Sequence, residues 1–167
     1  MNEPLRDPVE MHDKSLSPKE IDRSDAISIL WPTVGPYTAD SIITAASGIA
    51  ELWRYLAHAT LRADSKALAD PADVYVAVGS LTAAAHSAEQ VCRQLSVWAG
   101  RLASDSDLTH DAHRGERWWA INAATDAAEW LNEARALMEL VGREFGHVST
   151  DLGHLYVDSE ADEEGQR

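Results

Sequence analysis

Residues 111–156, DAHRGERWWAINAATDAAEWLNEARALMELVGREFGHVSTDLGHLY, decide how the rest of the chain is read. Core-sized side chains fall at Ala120, Ala124, Ala127, Leu131, Ala134, Met138, Val141, Phe145, Val148, Leu152 and Leu155, alternating steps of four and three. Such steps put side chains on one stripe of a helix, and their mean of about 3.5 residues holds the stripe against a partner over several turns. The stretch therefore predicts a long helix from about 111 to 156. Unbroken, it would measure about 69 Å at ~1.5 Å per residue, with Gly142, Gly146 and Gly153 as the points where it kinks or ends.

Its partners lie upstream. Asp70-Pro71-Ala72-Asp73 supplies an acidic cap, a first-turn proline and a second acid at the positive end of a helix. The stripe that follows is Val74, Val78, Leu81, Ala85, Ala88, Cys92, Leu95, Ala99 and Leu102, with Ala77, Ala84, Val91 and Trp98 along one shoulder. Residues 103–107 read as the turn after it. Another helix is expected over about 38–63, with Ile42, Ala46, Ile49, Trp53 and Leu56 as its stripe and further apolar residues on both flanks. Before it, Trp31-Pro32-Thr33-Val34-Gly35-Pro36 excludes helix, and Ser17-Pro18-Lys19-Glu20 opens a short helix ending near Leu30. The expectation is an all-α fold: an antiparallel up-down-up bundle of three long helices plus a short N-terminal helix, spanning 17–157. Residues 1–16 and the acidic tail 158–167 are too polar to join a core and are expected to be disordered.

The chain has 167 residues, with 14 basic and 28 acidic side chains, a formal charge of −14. That field repels phosphate backbones and anionic membrane faces, so neither nucleic acid nor membrane is expected as a partner. A lone cysteine, Cys92, sits in a helical stripe and reads as packing. No apolar run approaches a membrane span and the start lacks a Sec leader, so the cytoplasm is the expected location.

Two resemblances enter at the second long helix. Residues 70–84, DPADVYVAVGSLTAA, followed by Gln94-Leu95-Ser96-Val97-Trp98, resemble small helical proteins of high-GC actinobacteria associated with mobile elements. The resemblance covers roughly residues 40–157 and implies a helical fold without a known activity. Trp98-Ala99-Gly100 and Tyr156-Val157-Asp158-Ser159-Glu160 resemble the turn motif and the Tyr-x-x-x-Asp/Glu signal of the WXG100 substrates of type VII secretion. That resemblance implies a secreted helical hairpin, with Trp98, Gly100, Tyr156 and Glu160 carrying the signal.

Glu144-x-x-His147 and Asp151-x-x-His154 place acids and imidazoles at helical spacing. A di-iron bundle needs two Glu-x-x-His elements and two further glutamates, all directed inward, and this set does not supply them, so the side chains read as solvated. No nucleophile elbow and no glycine-rich phosphate loop is present. No catalytic, cofactor-binding or metal residue is assigned. The reading is a non-enzymatic protein that binds another protein or a second copy of itself, with a nucleic-acid mimic as a further alternative. The candidate contact residues are Arg114, Arg117, Trp118 and Trp119. Adjacent tryptophans on a helix point about 100° apart, so both cannot enter one seam, and a tryptophan left outside among arginines has the composition of an interface anchor.

Overall fold

The structure is a computed structural model that describes residues 23–61 and 68–156. It is all helical, with no strand among the described residues: α1 (Arg23–Leu30), α2 (Ala39–Thr60), α3 (Pro71–Leu102) and α4 (Arg117–Leu152). The helix start expected at Ser17, the segments 1–16 and 158–167, and Glu160 lie outside the described residues. None of the described helices is long and apolar enough to cross a membrane. The chain divides into two compact units, one before and one after the junction at Ala63 and Asp64.

In the first unit, Trp31 extends the last turn of α1 by donating its amide to the Ile27 carbonyl. The linker expected at 31–36 is non-helical, and the Tyr37 hydroxyl closes it by donating to the Thr33 carbonyl. Thr38 caps α2 through a capping box, its hydroxyl accepting from the Ser41 amide at 3.1 Å while Ser41 Oγ accepts from the Thr38 amide at 3.0 Å. The Trp31 ring covers Gly48, where a Cβ would meet its Cη2 at 3.4 Å. Yet α2 contains no buried residue, and Ile42, Ile43, Ile49 and Trp53 are exposed.

The second unit is an antiparallel hairpin of α3 and α4. Asp70 caps α3 as expected, Oδ1 accepting from the Ala72 amide at 2.9 Å with Pro71 in the first turn. The helix ends at Leu102, also as expected. Contacts run in opposite senses along the two helices. Ser96 Oγ donates to the Ala128 carbonyl at 2.8 Å, Arg135 Nη1 lies 3.4 Å from Glu89 Oε1, and a Cβ on Gly142 would sit 3.6 Å from Ala85 Cβ. A Cβ on Gly153 would sit 3.4 Å from the Tyr75 ring.

On α3 the expected stripe holds: Val78, Ala85 and Ala99 are buried, Val74, Leu81, Ala88, Cys92 and Leu102 are half-buried, and only Leu95 is exposed. On α4 the seam is displaced. It runs Ala120, Ala124, Ala128, Leu131, Arg135, Met138, Gly142, Phe145, Ser149 and Leu152, all buried or half-buried, whereas Ala127, Val141 and Val148 are exposed and Ala134 is half-buried. The correction has a physical cause. Gly142 admits the other helix closely, Ser149 is small, and Arg135 is paired across the seam, so positions that look polar or empty face α3 and the neighbouring apolar residues do not. No large side chain in the described residues is fully buried; the seam closes on alanine and glycine.

The ends of α4 also differ from expectation. It begins at Arg117 rather than near Asp111, because residues 103–116 fold into turns. The Asp105 and Asp111 carboxylates accept from the Asp107 and Ala112 amides, and Gly115 takes φ +90°. Gly142 and Gly146 lie within the continuous helix, and Gly153 ends it by donating its amide to the Ser149 carbonyl. Leu155 and Tyr156 fall beyond it.

Candidate functional site

The loop end of the hairpin gathers the candidate contact residues. Trp119 is built into the loop: its ring stacks on His113 at 4.3 Å and 10°, and Nε1 donates to Glu116 Oε2 at 3.1 Å. His110 adds a tilted contact to His113 at 5.2 Å. Arg117 reaches back across the loop, Nη2 donating to the Asp105 carbonyl at 3.1 Å. A shallow cavity of about 140 Å³ lies under these groups, lined by His110, His113, Gly115, Glu116 and Arg117 among others.

Trp118 is placed differently. Its ring contacts Trp119 at 4.2 Å but remains 52% exposed, whereas Trp119 is half-buried. Arg114 is exposed in the preceding turn. The four residues share one end of the hairpin, with Arg117 and Trp119 fixed by the loop and Trp118 open.

The remaining motif residues are dispersed. Trp98 and Gly100 belong to the last turns of α3 rather than to the connection, and Trp98 is exposed. Tyr156 follows α4 and is 83% exposed. Glu144, His147, Asp151 and His154 are all exposed, and among the described residues no group of three or more His, Cys, Asp or Glu is placed to hold a metal ion.

A second surface was only half legible in the sequence. The shoulder Ala77, Ala84, Val91 and Trp98, together with Leu95, lies to one side of the α3 seam. On α4, Ala127, Trp130, Ala134, Leu137, Val141 and Val148 lie to one side of its seam, again in steps of four and three up to Val141. Because the helices are antiparallel and both stripes lie about 100° from their seams in the same rotational sense, they share one face of the hairpin. That face grows from alanine and valine at the open end to Trp98 and Trp130 near the loop. The opposite face carries Thr82, His86, Arg93, Thr125, Asn132, Glu139 and Arg143. The 4,3 run through Trp130 and Leu137 is the signal that could have separated this face from the seam.

No protein family, no curated protein and no solved structure matches the chain.

Proposed function

We propose that this is a non-enzymatic helical protein that works in the cytoplasm by binding another protein, with the loop end of the α3–α4 hairpin as its contact surface. The single observation behind the reading is the unequal treatment of two adjacent tryptophans: Trp119 is stacked and hydrogen bonded, while Trp118, which follows Arg117 in the chain, is 52% exposed. Aromatic and arginine side chains dominate binding hot spots, because they bring large area and strong donors at low entropic cost. The resemblance to actinobacterial mobile-element proteins suggests the setting. Capture from such a host, with the recovered protein purified and returned to wild type and to Trp118→Ala, tests the reading. Re-binding to wild type with at least a tenfold loss in the variant supports it, and equal binding to both removes Trp118 as the anchor.

The up-down-up arrangement of three long helices belongs to the same proposal, with α2 as the third. Its stripe of Ile42, Ala46, Ile49 and Trp53 has the required 4,3 repeat.

A second reading, a type VII secretion substrate, is favoured by the order of Trp98 and Gly100 in the last turns of the first hairpin helix and an exposed Tyr156 after the second. Recovery of the protein in culture filtrate, lost on Tyr156→Ala, would put this reading first.

A further inference from the structure

Trp130 is 68% exposed, and it stands with Leu95 and Trp98 on the loop-proximal part of the hairpin's apolar face. On α4 the charges beside this patch are of one sign, while on α3 the exposed Arg101, three residues after Trp98, borders it. Asp126 and Glu133, at four residues before and three after Trp130, adjoin it on α4, and Glu129, Glu144 and Asp151 continue the outer flank of that helix; all five are exposed. The basic residues of α4 are elsewhere: Arg117 is held by the loop, Arg135 is in the seam, and Arg143 is on the opposite face.

We infer that Leu95, Trp98 and Trp130, with Asp126 and Glu133, form a docking site for an amphipathic helix of another protein that carries lysine or arginine on the flank of its apolar stripe that meets α4. The aromatic rings supply the apolar anchor, and the acid row orients the incoming helix by charge. A second copy is the less fitting occupant. It would bring its own acid row and its share of a −14 charge to the contact. The site deepens the protein-binding reading, yet it uses residues separate from Trp118, so the two can fail independently.

The test uses the full chain and two synthetic helical peptides with the same leucine stripe, one flanked by lysines and one by glutamates. The lysine peptide should bind and the glutamate peptide should not. Trp98→Ala and Trp130→Ala should each weaken binding at least tenfold with little change in melting, because both rings are more than half exposed. Asp126→Asn with Glu133→Gln should weaken binding several-fold and flatten its salt dependence. Equal binding of the two peptides, or unaltered binding to the tryptophan variants, overturns the inference. So does a concentration-dependent dimer in sedimentation that is lost on Trp130→Ala, which would assign the face to a second copy. Loss of peptide binding in Trp118→Ala alone would leave the loop-end reading in place and remove this one.

Discussion

His86 lies over Gly142: a Cβ on the glycine would come within 3.3 Å of His86 Nε2 and 3.6 Å of Ala85 Cβ. The first contact is with the end of an exposed, flexible side chain and the second is ordinary van der Waals distance. A single methyl therefore fits once His86 moves by a few tenths of an ångström. Alanine also relieves the helix of glycine's backbone entropy, which is about 1 kcal/mol. Gly142→Ala should accordingly leave stability unchanged or slightly raised, whereas Gly142→Val, with two further methyls aimed at α3, should cost about 1–3 kcal/mol. Thermal melting of the two variants separates them.

The displaced α4 seam makes a sharper prediction. Ala124 is buried and Ala127 exposed, although both belong to the periodic stripe in the sequence. Ala124→Asp should lower stability by several kcal/mol, because an unpaired carboxylate would be forced between two close helices. Ala127→Asp should stay within about 0.5 kcal/mol of wild type. Equal losses in denaturant titrations would restore the stripe read from the sequence.

At the other end of the hairpin, Asp70 satisfies the Ala72 amide at 2.9 Å. Asp70→Ala leaves that donor unpaired and should cost about 1 kcal/mol, and Asp70→Ser should recover most of it. Denaturation midpoints measured at constant slope give the comparison.

What the sequence carried was local chemistry. The Asp70-Pro71 start, the Trp31–Pro36 break and the small-residue stripe of α3 are legible because caps, prolines and periodicity act within a few residues. The α4 seam was legible only in part: Ala120, Ala124, Leu131, Met138, Phe145 and Leu152 hold their expected places, whereas Ala128, Arg135, Gly142 and Ser149 take the places expected of their apolar neighbours. Arg135 enters it only because Glu89 of α3 stands opposite, and Gly142 only because Ala85 and His86 of α3 come close, and neither fact is written in α4 itself. The loop end was partly legible: two adjacent tryptophans cannot share a seam, but the choice of Trp119 as the stacked ring depends on His113 and Glu116, which the turn ending at Gly115 brings into reach.

The arrangement of α2 can be tested with one charge. Ile49 is exposed on a helix with no buried residue. If α2 is the third helix of the proposed bundle, Ile49→Asp should lower the melting temperature by several degrees, corresponding to at least 1–2 kcal/mol. A change below about 0.5 kcal/mol would mean that α2 does not serve as the third helix of the bundle.

The central claim, that Trp119 holds the loop while Trp118 serves association, is tested most directly by replacing each with alanine and measuring melting and partner binding on the same samples. Trp119→Ala loses the His113 stack and the bond to Glu116, and should destabilise the fold by about 2–4 kcal/mol. Trp118→Ala should melt within about 1 kcal/mol of wild type while its association weakens at least tenfold. The contradicting result is a pair of variants that are equally destabilised and, once corrected for folding, bind as wild type does.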